Sequence, residues 1–191
     1  MTYADVLRPS IRRHALAYDA ALVIGGSVGI ALSAQIAIPL PFSPVPVTGQ
    51  TFAVLLMGAL LGSRRGALCV LTYLAEGASG LPVFSFGRAG LGHLAGPTGG
   101  YLVGFVAAAF ITGCLAERGW DRRLWTTAIA MLLGSIAIYA FGLPWLAAFV
   151  GGGKAVALGL KPFIAGDIYK LVLAAILLPS GWKVLGHAGR K

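Results

Sequence analysis

The sequence predicts an all-α integral membrane protein: six transmembrane helices in a compact bundle with both termini cytoplasmic. Three observations predict it. The 191 residues are 58% apolar before the 28 glycines are counted, and only 11% are charged, where a soluble domain carries about 25%. Long apolar runs follow one another with short polar punctuation, several close to the roughly 20 residues that cross a bilayer. The basic residues gather between alternate runs, as the positive-inside rule requires. A chain this short cannot hide so much apolar surface inside a water-soluble core, and disorder needs low hydrophobicity. Six runs leave no length for a soluble catalytic or ATPase domain, so 1–191 reads as a single membrane domain.

Residues 1–19 are polar and form a short cytoplasmic segment, with an amphipathic stretch before Asp19. The first span is 20–38, which holds no charge. It is too long for a signal h-region and lacks a clean cleavage site, so it is expected to stay in the mature protein. Pro39, Pro41, Pro44 and Pro46 then impose a rigid extended loop, because proline lacks a donor and restricts the residue before it. A second span covers about 47–62, and Arg64 and Arg65 follow it. A third covers about 66–84. Glu76, Gly77, Gly80 and Pro82 interrupt it, so it begins as helix and is expected to end as a re-entrant loop. A glycine-rich segment, 85–98, leads to the fourth span at 98–116. The loop 117–123 precedes a fifth span at about 124–142. The segment 143–161 is irregular, with Pro144, Gly151, Gly152 and Gly153. The sixth span is about 162–179, ended by Pro179 and Ser180, before a short cytoplasmic tail.

With the N-terminus inside, the inner segments hold Arg8, Arg12, Arg13, Arg64, Arg65, Arg118, Arg122, Arg123, Lys183, Arg190 and Lys191, eleven of the 15 basic residues. The outer segments hold Arg88, Lys154 and Lys161. The formal charge of +9 therefore reads as topology and not as a nucleic-acid surface, which would concentrate it in one patch. Cys69 and Cys114 lie in apolar runs as core residues. The three histidines are isolated, and no metal, nucleophile-elbow or phosphate-loop motif is present.

Asp167 and Lys170 are the sharpest feature. They stand three residues apart inside an apolar segment, hence on one helix face, roughly 8 to 12 Å below the outer helix end at 1.5 Å per residue. Ionisable groups in a span are costly and usually functional. Three readings stay open: a structural ion pair, a polar clamp for a small solute, or a proton pathway. A clamp of opposite charges suits an amide, urea or carboxylate. Gln50 is a second candidate ligand group, or else a cap or inter-helix bond. Arg88 in the glycine-rich loop can grip a carboxylate by its fork, or stand as a solvated charge. Glu76 is a loop cap, a partner of Arg88 or a pocket acceptor. Phe84, Phe86, Tyr101, Tyr139, Trp145, Phe163 and Tyr169 gather near one level, as interfacial belt or pocket wall. Ala21, Gly25, Gly29 and Ser33 form a small-residue stripe on the first span, either an internal seam or an outer face for another membrane subunit.

Five blocks carry a resemblance. They are Pro44-Val-Pro-Val-Thr-Gly-Gln50, Leu55-Leu-Met-Gly-Ala-Leu-Leu-Gly62 with Arg64, Gly80-Leu-Pro-Val-Phe84, Gly96-Pro-Thr-Gly-Gly-Tyr-Leu-Val-Gly-Phe105 and Lys161-Pro-Phe-Ile-Ala-Gly-Asp-Ile-Tyr-Lys170. Together they resemble the BioY biotin transporter family, the substrate-binding S components of energy-coupling factor (ECF) transporters. The resemblance covers about residues 20–180. It implies six membrane helices, a biotin pocket near the extracytoplasmic side, and high-affinity biotin uptake across the cytoplasmic membrane of a bacterium. It implies that Asp167 and Lys170 bind the ureido ring, that Arg88 meets the valerate carboxylate, and that Gln50 and Tyr101 lie near the pocket. The implied partners are an energy-coupling membrane subunit and two ATPase subunits, which would hydrolyse the ATP. No cofactor is expected on this chain, and a homo-oligomer is also compatible. Family members use an Ala-x-x-x-Ala face on the first helix to meet the coupling subunit. Ala17 and Ala21 match it, and Gly25 and Gly29 continue the spacing. Two alternatives remain: an S component for another vitamin such as riboflavin or thiamine, and an ion-coupled transporter with Asp167 as its proton site.

Overall fold

The structure, a computed structural model, describes residues 2–188. Arg190 and Lys191 of the expected basic tail lie outside the described residues, as does the Arg12 side chain. Chain order runs α1 (Tyr3–Val6), α2 (Arg12–Gln35), β1 (Ala37–Ile38), β2 (Val47–Thr48), α3 (Gln50–Leu61), α4 (Ser63–Ala78), α5 (Leu91–Leu94), α6 (Gly99–Glu117), α7 (Leu124–Val150), α8 (Gly152–Gly159) and α9 (Ile164–Ala188). Antiparallel β1 and β2 pair Ala37 with Thr48 and Ile38 with Val47. The proline-rich stretch thus becomes a strap pinned at both ends.

The six-span expectation is overturned. Among the described residues four helical segments are long and apolar enough to cross a membrane: Arg13–Gln35, Gly99–Glu117, Leu124–Val150 and Gly152–Val184. The expected second span is α3, with 12 residues, about 18 Å at 1.5 Å per residue. The expected third is α4, with 16 residues, about 24 Å on the same rise. Both fall short of the roughly 30 Å hydrocarbon core. The chain breaks between them at Gly62, whose φ of 87° only glycine adopts without strain. The sequence runs looked longer because the apolar strap and the loop after Ala78 extend them.

Two proline assignments also change. The fifth helix does not stop near 142 but continues through Pro144 to Val150. The last does not end at Pro179 but runs to Ala188. Each proline removes one backbone bond, a loss that membrane helices tolerate where neighbouring helices cover the freed carbonyl. Here α7 packs along α6 and against α8 and α9.

The core sits around α6, which contacts α3, α4 and α7 and buries Leu102, Phe105, Ala108 and Ala109. Close approach is built in: a Cβ at Gly58 of α3 would overlap Thr112 Oγ1 and Ala109 O of α6. Large apolar side chains such as Ile24, Leu32, Ile136 and Leu177 point outward, as lipid-facing residues do.

Polar bonds tie one end of the bundle. Arg65 Nη1 meets Asp5 Oδ1 at 2.8 Å and its Nε meets Asp19 Oδ1 at 2.8 Å, while Arg8 reaches Asp19 Oδ2 at 2.6 Å. Ser63 donates its backbone N–H and hydroxyl to Glu117 at 2.7 and 2.8 Å. Trp182 Nε1 donates to Asp121 at 2.5 Å. Arg8 and Arg65, counted among the inner basic residues, are therefore partly structural.

Candidate solute-binding site

The opposite end of the bundle converges on the first turns of α9. Asp167 lies in the first turn, where the positive end of the helix dipole favours a carboxylate. Lys170 stands one turn later. Their side chains are 19% and 20% exposed, and Nζ lies 3.4 Å from Oδ1, long for a hydrogen bond. Each charge has a second partner on another helix. Lys170 Nζ donates to Thr51 Oγ1 of α3 at 2.6 Å. Tyr139 of α7 donates its hydroxyl to Asp167 Oδ2. The pair is thus held apart, and among the described residues the three ammonium donors meet two partners, Thr51 and Asp167.

These groups face a small cavity. Asp167, Lys170 and Thr51 line its polar side together with Thr48 and Ser135; Tyr101, Phe105, Ile138, Tyr139, Phe163 and Pro46 supply its apolar wall. It holds about 40 Å³, room for about two or three waters. A second cavity of about 30 Å³ adjoins it and shares Pro46, Thr48, Tyr101 and Phe105. A larger solute therefore fits only by moving the side chains between the two. Pro46 and Thr48 belong to the strap, so the proline-rich loop closes the site.

Tyr101 is held rigidly. It is 7% exposed, donates to Gly159 O at 2.9 Å and meets the Tyr139 ring edge-on, centroids 6.2 Å apart. Gly142 and Gly159 leave the space it fills, since a Cβ at either would overlap it.

Gln50 lines the second cavity and not the first. Its amide is largely committed: it donates to Tyr73 Oη and accepts from Thr48 Oγ1 at 3.2 Å. Arg88 is exposed, stands over the Phe86 ring at 5.8 Å and lines neither cavity. The structure thus brings Asp167, Lys170 and Tyr101 to one cavity, Gln50 to the next, and leaves Arg88 outside both. Glu76 instead accepts from Ser27 of α2 at 2.9 Å.

Sequence reasoning missed Thr51, Thr48 and Ser135. Ser135 stands four residues before Tyr139, on one helix face, and its polarity in an apolar run was a usable signal. Nothing local marked Thr51, because its partner is 119 residues away.

The small-residue stripe has two sides. Ala17, Ala21 and Gly25 are exposed and Gly29 is half-buried. A Cβ at Gly25 would meet nothing within 4 Å, whereas one at Gly29 would stand 3.6 Å from Met57 Cε. The face is external along most of its length. No group of three or more His, Cys, Asp or Glu able to hold a metal occurs among the described residues.

Comparison with known proteins gives concordant matches. The model of the BioY family matches residues 8–187. A biotin transporter BioY of Rhizobium etli is 44% identical over 156 residues, covering 78% of this chain and 83% of the relative. A BioY of Thermotoga maritima is 44% identical over 141 residues, covering 73% and 82%. A crystal structure described as the S-component for biotin from an ECF-type ABC transporter superposes with a TM-score of 0.82 at 25% identity, covering 91% of this chain and 95% of the other.

Proposed function

The chain belongs to the BioY family, and from that premise we propose that it binds biotin as the S component of an ECF-type transporter. It is then a multi-pass protein of the cytoplasmic membrane that captures a solute and performs no chemistry on it. The observation that carries the reading is the Asp167–Lys170 pair, two opposite charges held apart at a cavity by separate partners.

A cyclic urea has two N–H donors and one carbonyl acceptor. Asp167 receives an N–H, and the third donor of Lys170 serves the carbonyl. Charge-assisted bonds of this kind are strong in a low-dielectric pocket. Tyr101, Phe105 and Phe163 supply apolar surface for the fused sulfur ring. Gln50 lies toward the tail, and Arg88 supplies positive charge outside the mouth for the carboxylate.

Uptake needs an energy source that this chain does not carry. The proposed partners are an energy-coupling membrane subunit and two ATPase subunits, which hydrolyse ATP. The exposed face of Ala17, Ala21 and Gly25, continued by Gly29, is the docking surface, because small residues let backbones approach closely. Calorimetric titration of the purified protein in nanodiscs tests the solute. Saturable heat with biotin and none with riboflavin or thiamine is expected. Absence of biotin binding sinks the proposal.

A further inference from the structure

The second cavity has polar lining that the ureido clamp leaves unused: Ser85, His93 and Thr98, together with Thr48 and Gln50. His93 is half-buried, and its ring forms no hydrogen bond among the described residues. Its orientation is nonetheless determined. The imidazole stacks on Phe84 with centroids 4.9 Å apart and planes 27° apart. Phe84 is fully buried, edge-on to Tyr73 at 5.5 Å, and seated where a Cβ at Gly77 would overlap its ring.

The turn that carries Phe84 is tied as well. Phe84 N donates to Arg88 O at 3.0 Å. Gln35 of α2 donates to Phe84 O at 3.2 Å and accepts from Gly87 N at 3.1 Å. The stack therefore rests on a support that cannot shift without breaking several bonds. Burial, and after it the positive charge of Arg88, hold the imidazole below its usual pKa, so near neutrality it keeps one N–H donor and one lone pair.

We propose that His93 is a positioning and specificity residue for the anionic end of the solute. With the ureido ring at Asp167 and Lys170, the tail passes Tyr101 and Phe105 into the second cavity. There the carboxylate accepts the His93 N–H, with the hydroxyls of Thr98 and Ser85 beside it. Arg88 lies outside both cavities and acts through its charge. The inference rests on the reading of the solute as biotin.

The test compares two ligands, biotin and its decarboxylated analogue with a plain alkyl tail, in detergent-purified full-length protein. His93→Phe keeps the ring that stacks on Phe84 and removes the donor. It should weaken biotin about tenfold, on the scale of a hydrogen bond to a charged group, and the analogue less than twofold. His93→Gln restores an N–H and should recover part of the preference for the acid. An unchanged acid-to-analogue ratio in His93→Phe overturns the proposal while biotin binding stands. A wild-type protein that binds no biotin overturns the functional reading and this inference with it. His93→Leu is read in the same way if His93→Phe is not monodisperse.

Discussion

Lys170 lies nearer to Thr51 than to Asp167: 2.6 Å from the threonine hydroxyl on α3, against 3.4 Å from the carboxylate on its own helix. The threonine draws the ammonium off its natural counter-ion. The cost of two charges in an apolar segment is met by three helices together and not by the pair alone. That arrangement leaves donor and acceptor capacity for a ligand.

Asp167→Asn keeps the shape and removes the charge. It should weaken biotin binding by about 2 kcal/mol or more, the scale for truncating one partner of a buried charged hydrogen bond, and Lys170→Ala should do likewise. Equilibrium binding to folded, monodisperse variants is the check. Wild-type affinity in both would leave the pair as a structural ion bridge. Desthiobiotin keeps the urea head and should still compete.

Thr51→Val removes the hydroxyl without changing the volume much. Lys170 should then collapse onto Asp167, and biotin affinity should fall about tenfold, as expected for loss of a bond to a charged group. The same titration reads it, and unchanged affinity would mean that the threonine contact is incidental.

Ala21→Leu places a large side chain on the exposed face of α2. Co-purification with the coupling and ATPase subunits, or biotin uptake by cells, should drop sharply, while binding by the isolated protein stays near wild type. Loss of binding and uptake together would discount a docking role for this face.

Gly142→Ala forces a methyl against the buried Tyr101 ring. Overpacking of this kind costs typically about 1–3 kcal/mol, and the site distorts with it. A lower midpoint of thermal unfolding and weaker biotin binding are expected together. An unshifted midpoint would show that Tyr101 has room to move.

Asp5 supplies a pH signature at the other end of the bundle. Burial raises its pKa, but the Thr2 backbone N–H, the Arg65 side chain and the Thr2 hydroxyl outweigh it and hold the carboxyl below its ordinary 3.8. A carboxylate lowered on folding stabilises the protein above the unfolded value, and that stability is lost as pH falls through the lower folded value. The stability difference between wild type and Asp5→Asn should therefore be steady from neutrality to about pH 4 and shrink below it. Thermal unfolding in detergent across that range checks it, and a pH-independent difference would discount the ion pair.

The family was legible in the sequence because its blocks are contiguous and local. The blocks ending at Gln50, Phe105 and Lys170 also carry ten of the residues that line the two cavities, Gln50, Tyr101, Asp167 and Lys170 among them. The strap was legible too, since four prolines in eight residues leave the backbone little choice. Arg88 shows the limit: its residue type suits a carboxylate, yet a loop side chain goes where local packing sends it, here over Phe86.

By itself, the sequence determined that this is a membrane protein, which family it belongs to, and that Asp167 and Lys170 need an explanation. Those conclusions depend on composition, contiguous motifs and the cost of charge in lipid, all properties of the chain read in order. Tertiary structure decided that α3 and α4 are too short to cross, that Tyr139 and Thr51 hold the two charges, and that His93 faces the second cavity. A hydropathy run does not record where the backbone turns, as it does at Gly62. Nor does helical periodicity record a partner 119 residues away. Both are settled only when α6 gathers its neighbours around one core and brings the helix ends together.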